Sequence, residues 1–180
     1  MLSAFALGGF EIATSLHVRG ALGLGSRAVA AVFVVCSLAM LVAQLGFLPR
    51  FALRSDRLAW ALKLLLGVAG LLVMMPLATS QSVTLGIAAL IGAGLGLAIA
   101  LLGLQTAAFT GARRGFALGL QSSVANAGQA IGSISAGALF GALDHRALPA
   151  LALAVAPLTL VLIVLQRRAA AGIRLDRSIR

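Results

Sequence analysis

Long uncharged apolar runs dominate the chain, and short polar or basic clusters separate them. Ala28 to Pro49, Gly115 to Leu143 and Ala147 to Gln166 are three such runs. Leu64 to Ala112 is a longer one, interrupted by Pro76 and the string Thr79-Ser80-Gln81-Ser82. A spanning helix needs about 20 mostly apolar residues, so the longer run supplies two helices joined by a short uncharged hairpin. Leu2 to Val18 is broken only by Glu11 and His17 and is just long enough to cross. The pattern predicts an all-α integral membrane protein with six transmembrane helices, at about 2–18, 27–49, 57–78, 82–109, 114–143 and 147–166. A basic cytoplasmic tail, about 167–180, follows the six-helix domain 1–166.

Composition agrees with that picture and narrows the function classes. Of 180 residues, 61% are apolar and 10% charged, with a mean hydropathy of +1.10. A water-soluble fold of this size could not cover so much apolar surface, which excludes an ordinary soluble enzyme, a disordered chain and a disulfide scaffold. One cysteine permits no internal disulfide, and two histidines without cysteine neighbours give no metal-ligand spacing.

The net charge of +10 suggests nucleic acid until the cations are located. Arg50, Arg54, Arg57 and Lys63 follow the second helix, Arg113 and Arg114 follow the fourth, and Arg167, Arg168, Arg174, Arg177 and Arg180 follow the sixth. Only Arg19, Arg27 and Arg146 fall on the opposite side. The positive-inside rule therefore places both termini in the cytoplasm. The charge reads as a record of topology, and no nucleic-acid partner is expected.

Helices 3 and 6 are the most uniformly apolar, which points to lipid-facing roles and to two three-helix repeats. Helix 5 is the most informative. At 100° per residue, Ser122, Asn126, Gln129 and Ser133 form one polar stripe within about 60°. Gly128, Gly132 and Ser135 form a separate small-residue seam, and Gly92, Gly96, Ala100 and Gly103 form another on helix 4. The polar stripe suits either a substrate-cavity wall or hydrogen bonding between helices. Gln105, with Thr106, and Gln44, which shares a face with Ser37, are further cavity candidates. Glu11 is the acidic residue at membrane depth, with Thr14 and Ser15 one turn on. A carboxyl in that position can take up and release a proton, which makes it a coupling candidate; a paired glutamate in a helix contact is the alternative. His17 and Trp60 are expected at the interfaces, with Lys63 snorkelling nearby.

The run Arg113-Arg114-Gly115-Phe116-Ala117-Leu118-Gly119-Leu120-Gln121-Ser122-Ser123, continuing through Gly128, Ile131-Gly132 and Ala136-Gly137, resembles the entry to the eleventh helix of major facilitator superfamily (MFS) transporters. Gly9-Phe10-Glu11 with Leu22-Gly23-Leu24 is similar to the seventh helix and the loop after it. Gly46 to Leu58 is similar to the basic loop between the eighth and ninth helices. The likeness is to the carboxy-terminal six-helix half, nearest the drug:proton antiporter-like branch, and covers almost the whole chain. Ser133 stands where a proline is frequent, and Asp56-Arg57 lacks the Gly-Arg-Arg that completes the loop motif; Arg57, Arg113 and Arg114 are the basic loop positions that match.

The resemblance implies a half of an MFS fold that moves a small solute or drug by alternating access in the bacterial inner membrane. The expected partners are the lipid bilayer, a small-molecule substrate, and a second six-helix half or a second copy. No cofactor and no metal are expected. The residues give no nucleophile, paired carboxylates or ligand cluster for an enzyme. A non-transporting scaffold or inactive remnant is the competing reading.

Overall fold

The computed structural model describes residues 1–53, 56–109, 113–143 and 146–179. Six α-helices make up the described chain: α1 (Leu2–Gly20), α2 (Ser26–Ala52), α3 (Arg57–Met74), α4 (Gln81–Phe109), α5 (Arg114–Leu143) and α6 (Ala147–Ile179). Four of them, α2, α3, α4 and α6, are long and apolar enough to cross a membrane. In α1 the polar side chains of Glu11, His17 and Arg19 dilute the apolar run, and in α5 glycine, serine and amide side chains do the same.

Local chemistry explains the breaks. Pro76 sits in a 3₁₀ turn, Met75–Leu77, that ends α3, because proline has no N–H to continue the helix. Ser80 caps the start of α4: its Oγ accepts the Val83 N–H at 3.4 Å, and its carbonyl accepts the Thr84 hydroxyl at 3.0 Å. Between α1 and α2 the chain turns through Gly23, whose φ of +62° lies in the left-handed region that favours glycine.

The tightest associations are α1 with α5 and α2 with α4, and α3 packs on both α4 and α6. Small residues set the two tight pairs. Gly92 lies on Cys36 and Gly96 on Met40, so α2 and α4 run parallel. Gly128 lies on Met1 and Gly132 on Phe5, so α1 and α5 also run parallel. Each glycine pair is spaced i, i+4, the spacing that brings two helix backbones close. A Cβ on Gly132 would run into the Phe5 carbonyl, and one on Gly92 into the Cys36 carbonyl. The core between the helices holds Phe10, Leu65, Leu72, Ile91, Leu95, Leu101, Leu148 and Leu151, all fully buried.

Exposure is distributed differently from the expectation that helices 3 and 6 face outward. α6 does expose Leu153, Leu158, Leu160, Val161, Leu162 and Leu165. α3, by contrast, buries Ala61, Leu62, Leu65, Val68, Ala69 and Leu72 between its two neighbours. The broad outer apolar face is on α2, where Val34, Leu38, Leu41, Val42, Leu45 and Phe47 are exposed. An apolar sequence does not say which apolar partner it meets, and α3 meets protein along one whole side.

The basic stretch beginning at Arg167 continues α6 as helix as far as Ile179. Arg54 and Arg180 lie outside the described residues, as do the side chains of Arg167, Arg174 and Arg177.

Candidate functional site

The α1–α5 seam brings the Glu11 carboxylate to the polar stripe of α5. Glu11 is half-buried on α1, and its Oε2 accepts a hydrogen bond from Gln129 Nε2 at 3.1 Å. One turn along α5, the Ser133 hydroxyl donates to the Gly8 carbonyl at 3.3 Å. Gly8 makes this approach possible: the Gln129 backbone carbonyl and the Ser133 Oγ occupy the space a side chain there would need. Cys36 of α2 is buried beneath Gly92 of α4, in the second helix pair.

The remaining stripe residues are arranged by depth. Ser122 and Asn126 are exposed, toward the Arg114 end of α5. Gln129 and Ser133 are half-buried against α1. The stripe therefore runs from an open surface into a helix contact, where Gln129 and Ser133 hydrogen-bond to α1. Gln121, near its basic end, is half-buried, with its Oε1 enclosed and without a hydrogen-bond donor. Gln121 borders a cavity of about 210 Å³ lined also by Ser3, Ala4, Thr106 and Ala125.

The other candidates separate from this centre. Thr14 is 1% exposed, and its Oγ1 has no hydrogen-bond partner. Ser15 and Gln105 are half-buried. Gln44 belongs to the second pair: its Nε2 donates to the Gly96 carbonyl at 3.1 Å and fastens α2 to α4. Ser37 is exposed on α2. His17 is 2% exposed, in the last turn of α1.

Parallel and antiparallel contacts sort the cations by end of the bundle. Arg50, Arg57, Lys63, Arg113, Arg114 and Arg168 lie near the end shared by Met1 and Gln166, together with the acidic Asp56, while Arg19, Arg27 and Arg146 lie near the other. Asp56 precedes α3 and is exposed, as are Arg113 and Arg114 at the start of α5.

Sequence patterning did not single out Gly8 as the close-approach residue of the site. Its signal was present: Gly8-Gly9 sits one turn before Glu11. No family model and no curated protein matches the chain.

Proposed function

We propose that the chain is the six-helix half of an MFS-type transporter that moves a small organic solute by alternating access, with Glu11 carrying the coupled proton. In this reading all six helices cross a bacterial plasma membrane, both termini are cytoplasmic, and a second six-helix half or second copy supplies the facing wall of the cavity. The observation that carries it is the Glu11–Gln129 hydrogen bond at 3.1 Å. It holds an ionisable group at mid-helix, in a half-buried position continuous with exposed Asn126 and Ser122. Intramembrane carboxylates are costly, and one kept at the edge of a polar stripe suits reversible protonation.

Helix pairing supports the three-helix repeat. Moving each helix three places along the chain exchanges α2–α4 with α5–α1, the two tightest pairs, and returns α3–α6 to itself. The exchange is incomplete, since α3 packs closely on α4 while α6 meets α1 more thinly. α1 has 19 residues, about 28 Å at 1.5 Å per residue, close to the roughly 30 Å hydrocarbon core. The cation-rich bundle end supports the orientation.

The test uses inverted membrane vesicles from cells carrying the chain in its native setting. An imposed pH gradient is expected to drive movement of at least one member of a panel of fluorescent organic cations and anions. Replacing Glu11→Gln is expected to abolish the gradient dependence. Identical gradient-driven movement in both, or none with any probe, overturns the assignment. For orientation, alkaline phosphatase fused after Asp144 is expected to be active and after Arg114 inactive; the reverse inverts the topology.

A further inference from the structure

The first turns of α3 set a single cation between two apolar grooves. Lys63, the one lysine of the sequence, is exposed, and its Nζ lies 4.7 Å from the ring centroid of Trp60, the one tryptophan. Phe51 backs that ring at a centroid distance of 5.0 Å. On one side of α3 a groove of about 370 Å³ runs against α6, with Lys63 and Gln166 at its polar end and Leu66, Leu160 and Ile163 along it. On the other side a groove of about 540 Å³ runs against α4, from Trp60 and Lys63 to Leu71 and Leu90. Lys63 borders both.

The dimensions and charges fit one kind of ligand. Trp60 to Leu71 spans about 16 Å of helix, close to the roughly 15 Å depth of one hydrocarbon leaflet. Among the described residues Lys63 has the Trp60 ring as its partner and no carboxylate. An ammonium has three N–H donors, so contact with a ring face leaves donors for an anion. Arg57 and exposed Arg168 lie at the same bundle end and add positive potential there. We propose that Lys63 and the two grooves bind one anionic diacyl phospholipid. Its phosphate meets the Lys63 ammonium and the Gln166 amide, one acyl chain follows α3–α4, and the other follows α3–α6. A free anion would use the cation and leave both grooves unfilled, whereas a two-tailed lipid uses all three parts. Basic pockets between spanning helices are a recurring setting for acidic head groups. The site requires only a bilayer and is independent of any transport role.

The sole tryptophan is the reporter. The full chain is reconstituted in phosphatidylcholine vesicles containing a small fraction of acyl-brominated phosphatidylglycerol or, separately, the same fraction of acyl-brominated phosphatidylcholine. Brominated phosphatidylglycerol is expected to quench Trp60 with about fivefold higher apparent affinity, the factor equivalent to about 1 kcal/mol for one basic residue near an anionic headgroup. Lys63→Gln is expected to bring the two lipids level and Lys63→Arg to keep the preference, with an unshifted Trp60 emission maximum showing that both variants are folded. Equal quenching of the wild type by the two lipids overturns the site. So does Arg168→Gln abolishing the preference as fully as Lys63→Gln, which would make it a diffuse surface charge effect. Excess soluble glycerol phosphate is expected to leave the quenching intact; full competition by it would identify a soluble phosphate site and overturn the lipid assignment.

Discussion

The α1–α5 and α2–α4 pairs are built alike and hold different things. Both are parallel, both cross over glycines spaced i, i+4, and both bring a carbonyl of one helix to a polar side chain of the other. In α2–α4 the polar link is Gln44 to the Gly96 carbonyl, an uncharged tie between helices. In α1–α5 the link to the Gly8 carbonyl comes from Ser133, and Gln129 reaches instead to a carboxylate. Packing geometry is thus common to both pairs, while the carboxylate belongs to one. Close glycine crossings identify how the bundle is assembled; the α1–α5 seam adds a carboxylate–amide hydrogen bond to that crossing.

That contrast can be broken in several ways. The largest effect is expected from Glu11→Gln, which should remove gradient-dependent movement in vesicles while leaving the folded bundle intact; Gln44→Leu in the same assay should leave the gradient dependence in place. Next, Gly132→Val and Gly92→Val should each destabilise the bundle by about 1–3 kcal/mol, the usual cost of overpacking a tight contact. Detergent-denaturation midpoints would measure this, and unequal losses would show that the two crossings are not equivalent. A smaller change is expected for Gln44→Leu on stability, about 0.6 kcal/mol, typical of one hydrogen bond between membrane helices. The smallest is Thr14→Val, expected to be within about 0.5 kcal/mol of the wild type or slightly stabilising, because Thr14 Oγ1 has no hydrogen-bond partner to lose. A large loss there would show that Thr14 has a polar role.

The parts legible in sequence are those set by local rules. Pro76 with Ser80 marks the α3–α4 turn because a missing N–H and a capping hydroxyl act within one turn of chain. The glycine pairs 92/96 and 128/132 are readable as close-approach faces because their spacing is fixed by the helix itself. Which surface meets them is not readable, since Cys36, Met40, Met1 and Phe5 carry no mark of it. α2 and α3 show why exposure was harder still. Both are predominantly apolar, and the position of α4 and α6 decides that α3 buries one side from Ala61 to Leu72 while α2 leaves the face from Val34 to Phe47 open. The burial of Thr14 and His17 is hidden from the sequence for the same reason. Their angles on α1 are known from sequence, but what stands opposite comes from other helices. Lys63 and Trp60 are three residues apart and readable as neighbours; the grooves beside them exist only once α4 and α6 are in place.

The Glu11–Gln129 contact joins residues 118 positions apart. Ribosomes add about 5–20 residues per second, so Glu11 is made roughly 6–24 s before its amide partner. For that interval α1 must wait without the α5 surface that holds its carboxylate. On the proposed six-span reading, integration of α1 should therefore depend on later helices, and chains truncated before α5 should release α1 from the bilayer more readily than the full sequence does. The residue bonded across the α1–α5 seam is also the one that makes the order of synthesis matter.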